Sequence, residues 1–225
     1  MPRLISLLLC LLLSSPSFAL SLAELSQGDA ASGLKQALNQ GAKAAVAQLG
    51  RPGGFSSDPQ VRIGLPGKLG KAARTMKLMG MGAQVEQLEA SMNQAAEAAV
   101  PQAQALLLQA VQNMTLQDAK AILAGPQDSA TRYLDKSSRE QLRSRFLPIV
   151  RQATQQVGLA QQYNAFAGQA ASFGVIDAQS AQIENYVTEQ ALNGLFKIIA
   201  EQEAGIRRNP AQAAGSLARK VFGLQ

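Results

Sequence analysis

No histidine and no tryptophan occur in this chain, and cysteine occurs once, at position 10. The missing imidazole removes Ser-His-Asp and Cys-His catalysis, the usual zinc ligand sets, and the side chain that titrates unperturbed near neutral pH. Chemistry from within the chain would have to run on carboxylates, lysine, tyrosine or serine. With 4% aromatic residues, stacking platforms for sugars or single-stranded nucleic acid are not expected, and no specific nucleic-acid partner is expected either. No metal or cofactor is expected.

Long apolar runs are missing beyond the first residues. Arg3 supplies positive charge, Leu4 to Leu13 is apolar except for Ser6, and Pro16-Ser17-Phe18-Ala19 offers a small-x-small cleavage site. This reads as a secretory signal peptide over 1–19, with cleavage after Ala19 and a periplasmic mature protein. Nothing later approaches the roughly 18 to 20 uninterrupted apolar residues of a membrane helix, so no transmembrane anchor is expected. Cys10 would leave with the signal peptide, and the mature chain would hold neither disulfide nor thiol nucleophile. Residues 20–28 read as a mobile leader and 29–225 as a single domain. The formal charge of +6 falls by one with Arg3, a mild basic excess compatible with an anionic partner.

What remains is rich in helical periodicity. Ile183 to Asn209 organises the rest: at about 100° per residue, Val187, Ala191, Leu192, Leu195, Phe196, Ile198, Ile199 and Ile206 fall on one half. Glu189, Gln190, Asn193, Lys197, Glu201 and Arg208 fall on the other half, and Pro210 ends the segment. An apolar face this wide needs several neighbouring segments to cover it. Helical spacing recurs from Asp29 to Leu49 and from Pro66 through Met79. A further segment from Ala83 points Val85, Leu88, Met92, Ala95, Ala96 and Ala99 inward, and Pro101 restarts the helix toward Met114. Thr115 and Asp118 make a capping box, Gly125-Pro126 is a stop, Asp128 can cap the next turn, and Ser137 with Glu140 reads as another capping box for a helix to Val157. Leu159 to Phe173 and Pro210 to Phe222 complete an all-α bundle of about seven to nine helices. No fixed-period repeat is visible, which speaks against a solenoid.

Several strings accumulate along the way: LGRPGGFSSDP with the following IGLPGKL, Met92-Asn93-Gln94-Ala95-Ala96-Glu97, MTLQDAKAILAGPQDSATRYL, and YVTEQALNGLF with IAEQE and RRNP. In content and order they resemble the bacterial exported family named domain of unknown function 4197, over nearly all of the mature chain. The resemblance implies a helical domain behind a signal peptide in a Gram-negative envelope. It lends no activity.

The stretch from Gly50 to Pro66 lacks helical period and holds four glycines and three prolines. Loops this long in a compact domain are commonly functional or disordered, and Phe55 with the alternating Val61, Ile63 and Leu65 favours order, with a short extended piece on the bundle surface. Gly53 and Gly54 permit backbone N–H groups to approach a ligand, while Phe55 and the charges of Arg51, Asp58, Arg62 and Lys68 surround them. These seven residues are the candidate ligand- or partner-binding set, although no GxxxxGK[ST] phosphate loop is present. The bland reading is a scaffold loop whose charges cap helix ends.

Other groups have stronger bland readings. The basic run Arg62, Lys68, Lys71, Arg74 and Lys77 winds around a helix and reads as a solvated face that could attract lipid head groups. Glu203 falls at the apolar edge of the organising helix, where Arg207 one turn later can pair with it. Met76, Met79, Met81 and Met92 suit an adaptable apolar surface and equally ordinary core filling. The expected function is a non-enzymatic binding module for an envelope protein or a lipid-like, apolar or anionic ligand. The alternative is a histidine-free hydrolase or transferase, which would gather Arg51, Asp58 and a carboxylate of the organising helix in one polar cleft.

Overall fold

A computed structural model describes residues 27–67, 70–71, 73, 78, 82–156, 158, 161, 163–164, 183–213 and 215–223. Seven α-helices occur among them: α1 (Gln27–Leu49), α2 (Gly82–Ala99), α3 (Ala103–Gln112), α4 (Leu116–Leu123), α5 (Ser129–Gln156), α6 (Ile183–Arg208) and α7 (Ser216–Gly223). Short 3-10 turns at Val100–Gln102 and Pro210–Gln212 each follow from a proline that lacks the N–H needed to continue an α-helix. No described residue is in a β-strand.

α6 is the organising element. All eight apolar positions assigned to its inner half are buried, and α1, α2, α5 and α7 pack around it. Helix α2 buries Val85, Leu88, Met92, Ala95, Ala96 and Ala99 and packs on both α5 and α6, its small side chains letting the backbones approach. α1 includes Gln27 and Gly28, ahead of the expected start at Asp29, and Asp29 lies in its first turn, where a carboxylate complements the helix dipole. Residues 1–26, where a signal peptide and leader are expected, Lys68, Arg74, Met76, Lys77, Met79, Met81 and the segment from Ala165 to Phe173 lie outside the described residues.

Two expectations are corrected. Ser137 and Glu140 start no helix, because α5 runs unbroken from Ser129 to Gln156. Leu134, Leu142, Phe146 and Val150 keep one buried register through that point, and the Ser137 hydroxyl donates back to the Leu134 carbonyl instead of capping. The Val61-Ile63-Leu65 alternation forms no strand and does not lie on the surface. All three side chains are buried in the core, because burying them against the helices outweighs leaving them in water.

Candidate functional site

The loop from Gly50 to Pro66 is held by side chains from α2 and α6. Its first half is a series of turns: Gly54 N–H donates to the Arg51 carbonyl, Ser57 N–H to Gly53 and Asp58 N–H to Phe55. Gly53 has φ +83°, where a side chain is disfavoured. At Gly54 a Cβ would come within 2.4 Å of the Leu49 carbonyl oxygen, so that position admits no side chain either. The ring of the fully buried Phe55 then enters the core against Gly194 of α6, where a Cβ would stand 2.7 Å from the ring.

The backbone donors that these turns expose are taken by the protein itself. Glu97 of α2, 7% exposed, accepts from Gly53 N at 3.2 Å, Phe55 N at 3.1 Å, Ser56 N at 3.3 Å and the Ser56 hydroxyl at 3.3 Å. One helical turn earlier, the buried Asn93 pairs with both backbone groups of Ile63: its Oδ1 accepts from the N–H and its Nδ2 donates to the carbonyl, each at 2.8 Å. Another turn earlier, Glu89 meets Arg62 at 3.1 Å. Glu89, Asn93 and Glu97 thus form an i, i+4, i+8 stripe that reads the loop along its length. From α6, Lys197 donates to the Gln60 carbonyl and the Tyr186 hydroxyl to that of Gly64.

The candidate residues are therefore dispersed. Arg51 is exposed, Asp58 accepts from Gln60 N at 2.9 Å, and Arg62 reaches Glu89. No carboxylate of α6 joins Arg51 and Asp58, since the polar groups that α6 turns to the loop are those of Lys197 and Tyr186. Glu97 and Asn93 stand outside the candidate set, within the string Met92-Asn93-Gln94-Ala95-Ala96-Glu97. The signal available was their four-residue spacing on the buried face of an alanine-rich helix.

A second buried carboxylate follows the same logic. Glu203 of α6 accepts from Ala130 N at 3.2 Å, Thr131 N at 2.9 Å and the Thr131 hydroxyl at 2.8 Å. It thereby satisfies the first free N–H groups of α5, and the carboxylate of Asp128 pairs with Arg132 at 2.8 Å. Arg207 meets Glu203 at 3.1 Å, donates to the Ile122 carbonyl and lies over the Phe222 ring, so the ion pair expected within α6 also ties α4 and α7 to it. On the outer side Glu189 bridges Arg139 and Arg143, and its hydrogen bond from Arg143 holds its carboxyl below the usual glutamate range. The Thr115–Asp118 capping box forms in full, with Thr115 N donating to Asp118 at 2.9 Å and Asp118 N to the threonine hydroxyl at 3.1 Å. The Thr115 N–H and, at 2.7 Å, the Thr115 hydroxyl both donate to the Asp118 carboxylate and lower its pKa.

The apolar hollow lies elsewhere, between the start of α1 and the outer side of α4. It measures about 230 Å³ and is walled by Ala30, Ala31, Ala119 and Leu123, with Leu116 on its lip. Leu116 is 53% exposed, and Gln27 and Lys120 are the polar residues of the wall. A more open hollow along α4 is bordered by Ala121 and Ile122 together with Asp118, Arg132, Tyr133 and Lys136. Among the described residues no three carboxylate or thiol groups are placed to hold a metal, and no helix is long and apolar enough to cross a membrane.

An all-helical domain whose buried carboxylates bind its own backbone is the class defined by this geometry. The chain belongs to the family described as "Protein of unknown function (DUF4197)", which matches residues 24–223. Neither a curated protein nor a solved structure shows detectable similarity to it.

Proposed function

We propose that this is an exported, periplasmic protein that binds an apolar ligand in the cell envelope and performs no catalysis. The observation that carries the reading is the open hollow between α1 and α4, apolar in its walls and bordered by an exposed leucine. Isolated exposed leucines are common, but one at the mouth of an apolar concavity is what a ligand site requires. The fate of the polar groups supports the same side. A general acid or base must exchange its proton with a substrate, whereas Glu97 and Glu203 accept four and five hydrogen bonds from the protein. The long loop, with its donors taken by Glu97, serves in this reading as a scaffold between α2 and α6.

Native mass spectrometry of the protein purified from its own envelope tests the reading: a non-covalent apolar adduct is expected, and an adduct-free protein with a measurable turnover would replace binding by catalysis. Terminal sequencing of the same sample tests export. A mature chain starting at Leu20 is expected, and one starting at Cys10 with acyl mass would overturn the signal-peptide assignment.

A further inference from the structure

We propose that the α1–α4 hollow takes a single-chain fatty-acid carboxylate, its alkyl chain against Ala30, Ala31, Leu116, Ala119 and Leu123 and its head group at Lys120. The inference rests on the binding reading above and names the ligand class. Size comes first. A 150 Å³ apolar cavity accommodates roughly a benzene ring and drug-sized pockets start near about 300 Å³. At about 230 Å³ the hollow has room for a stretch of one alkyl chain and not for two. A protein partner is disfavoured on area, because a stable interface buries about 800 Å² on each side, far more than a hollow walled by eight residues offers.

Charge then selects the head group. Lys120 is the single ionisable residue of the wall, it is exposed, and no acidic residue lines the hollow. The nearest acid along α1, Asp29, is not part of the wall. A carboxylate at the open edge would gain an ammonium partner while staying hydrated, and its chain would leave water for an alanine and leucine surface. A cationic amphiphile would instead meet like charge, and a neutral one would gain the apolar contact alone. Because Leu116 and Lys120 are one turn apart on α4, the head group and the adjoining stretch of alkyl chain are read by one short helix.

The test is calorimetric titration of the chain beginning at Leu20 with laurate, dodecyl maltoside and dodecyltrimethylammonium, each below its micellar concentration. One laurate per chain is expected, with at least tenfold weaker binding of the neutral and cationic chains. Lys120→Glu should weaken laurate at least tenfold, and Ala124→Phe, placed at an exposed position of the wall, should abolish it. Both variants should unfold as the parent does, which separates a lost site from a lost fold. Equal binding of all three amphiphiles, or unchanged laurate binding in Lys120→Glu, overturns the head-group assignment. Binding seen only in a chain beginning at Gln27 overturns the proposal in favour of the preceding residues as occupant. Absence of laurate binding alongside a different apolar adduct in the native spectrum removes the fatty acid and leaves the binding function standing.

Discussion

At the scale of single residues, Glu97 converts a glycine-rich turn from a potential anion cradle into a fixed part of the fold. Its carboxylate satisfies three backbone N–H groups, of which that of Phe55 is fully buried. A buried donor left without an acceptor costs its desolvation penalty, whereas an exposed charge contributes little. Glu97→Ala should therefore destabilise by about 2 to 3 kcal/mol. Arg51→Ala, at an exposed position, should change stability by less than about 1 kcal/mol. Denaturant unfolding of the two variants measures the difference. Equal losses would mean that the loop is anchored by something other than this carboxylate.

Element by element, the helices were legible because burial repeats with their period, and α6 shows it most plainly. Leu195 and Ile199, placed at the centre of its inner face, are buried to within 1% of full coverage. Truncating either to alanine should cost about 2 to 5 kcal/mol through lost contacts and an unfilled cavity. Lys197→Ala should cost only the exposed hydrogen bond to Gln60. The glycines of the same helix give a sharper test, because their effects should have opposite sign. At Gly194 a Cβ would stand 2.7 Å from the Phe55 ring, and overpacking of that kind costs about 1 to 3 kcal/mol. Nothing lies within 4 Å of the corresponding position at Gly205, so alanine there should stabilise by up to about 1 kcal/mol through helix propensity. Shifts of the same sign in thermal unfolding would show that the Phe55 ring yields freely. What the periodicity could not reveal were partners distant in sequence. The carboxylate capping α5 sits on α6, 72 residues from Thr131, and a local capping pattern pointed to Asp128 and to Ser137 instead. Of the candidate site, Gly53 and Gly54 were recognised as conformationally special. That their N–H-rich turn is filled by Glu97 depends on the packing of α2, which no local spacing encodes.

For the whole molecule, the absence of histidine and the placement of carboxylates and tyrosines set the pH range of stability. No imidazole exists to titrate, so side-chain ionisation should leave stability nearly flat between about pH 6 and 8. On the acid side, Glu189 has a folded-state pKa lowered chiefly by its hydrogen bond from Arg143, and Asp118 one lowered by Thr115. A lowered carboxyl pKa contributes stability above the unfolded-state value, and that contribution disappears as pH falls through the folded-state value, below the ordinary carboxylate range. At the alkaline end burial raises the pKa of Tyr163 and Tyr186. A raised phenol pKa contributes stability below about pH 10 that is lost as pH rises through the folded-state value. Glu189→Gln separates one of these contributions from the rest. At pH 7 the variant should be less stable than the parent, since a neutral amide cannot match the carboxylate shared by Arg139 and Arg143. As pH falls the parent's own Glu189 becomes protonated, and the gap between the two unfolding curves should close. A gap that stays constant down to the acid limit would show that the α5–α6 contact owes its stability to packing of the arginine stems and to Arg139 over Phe196, and not to the ion pairs.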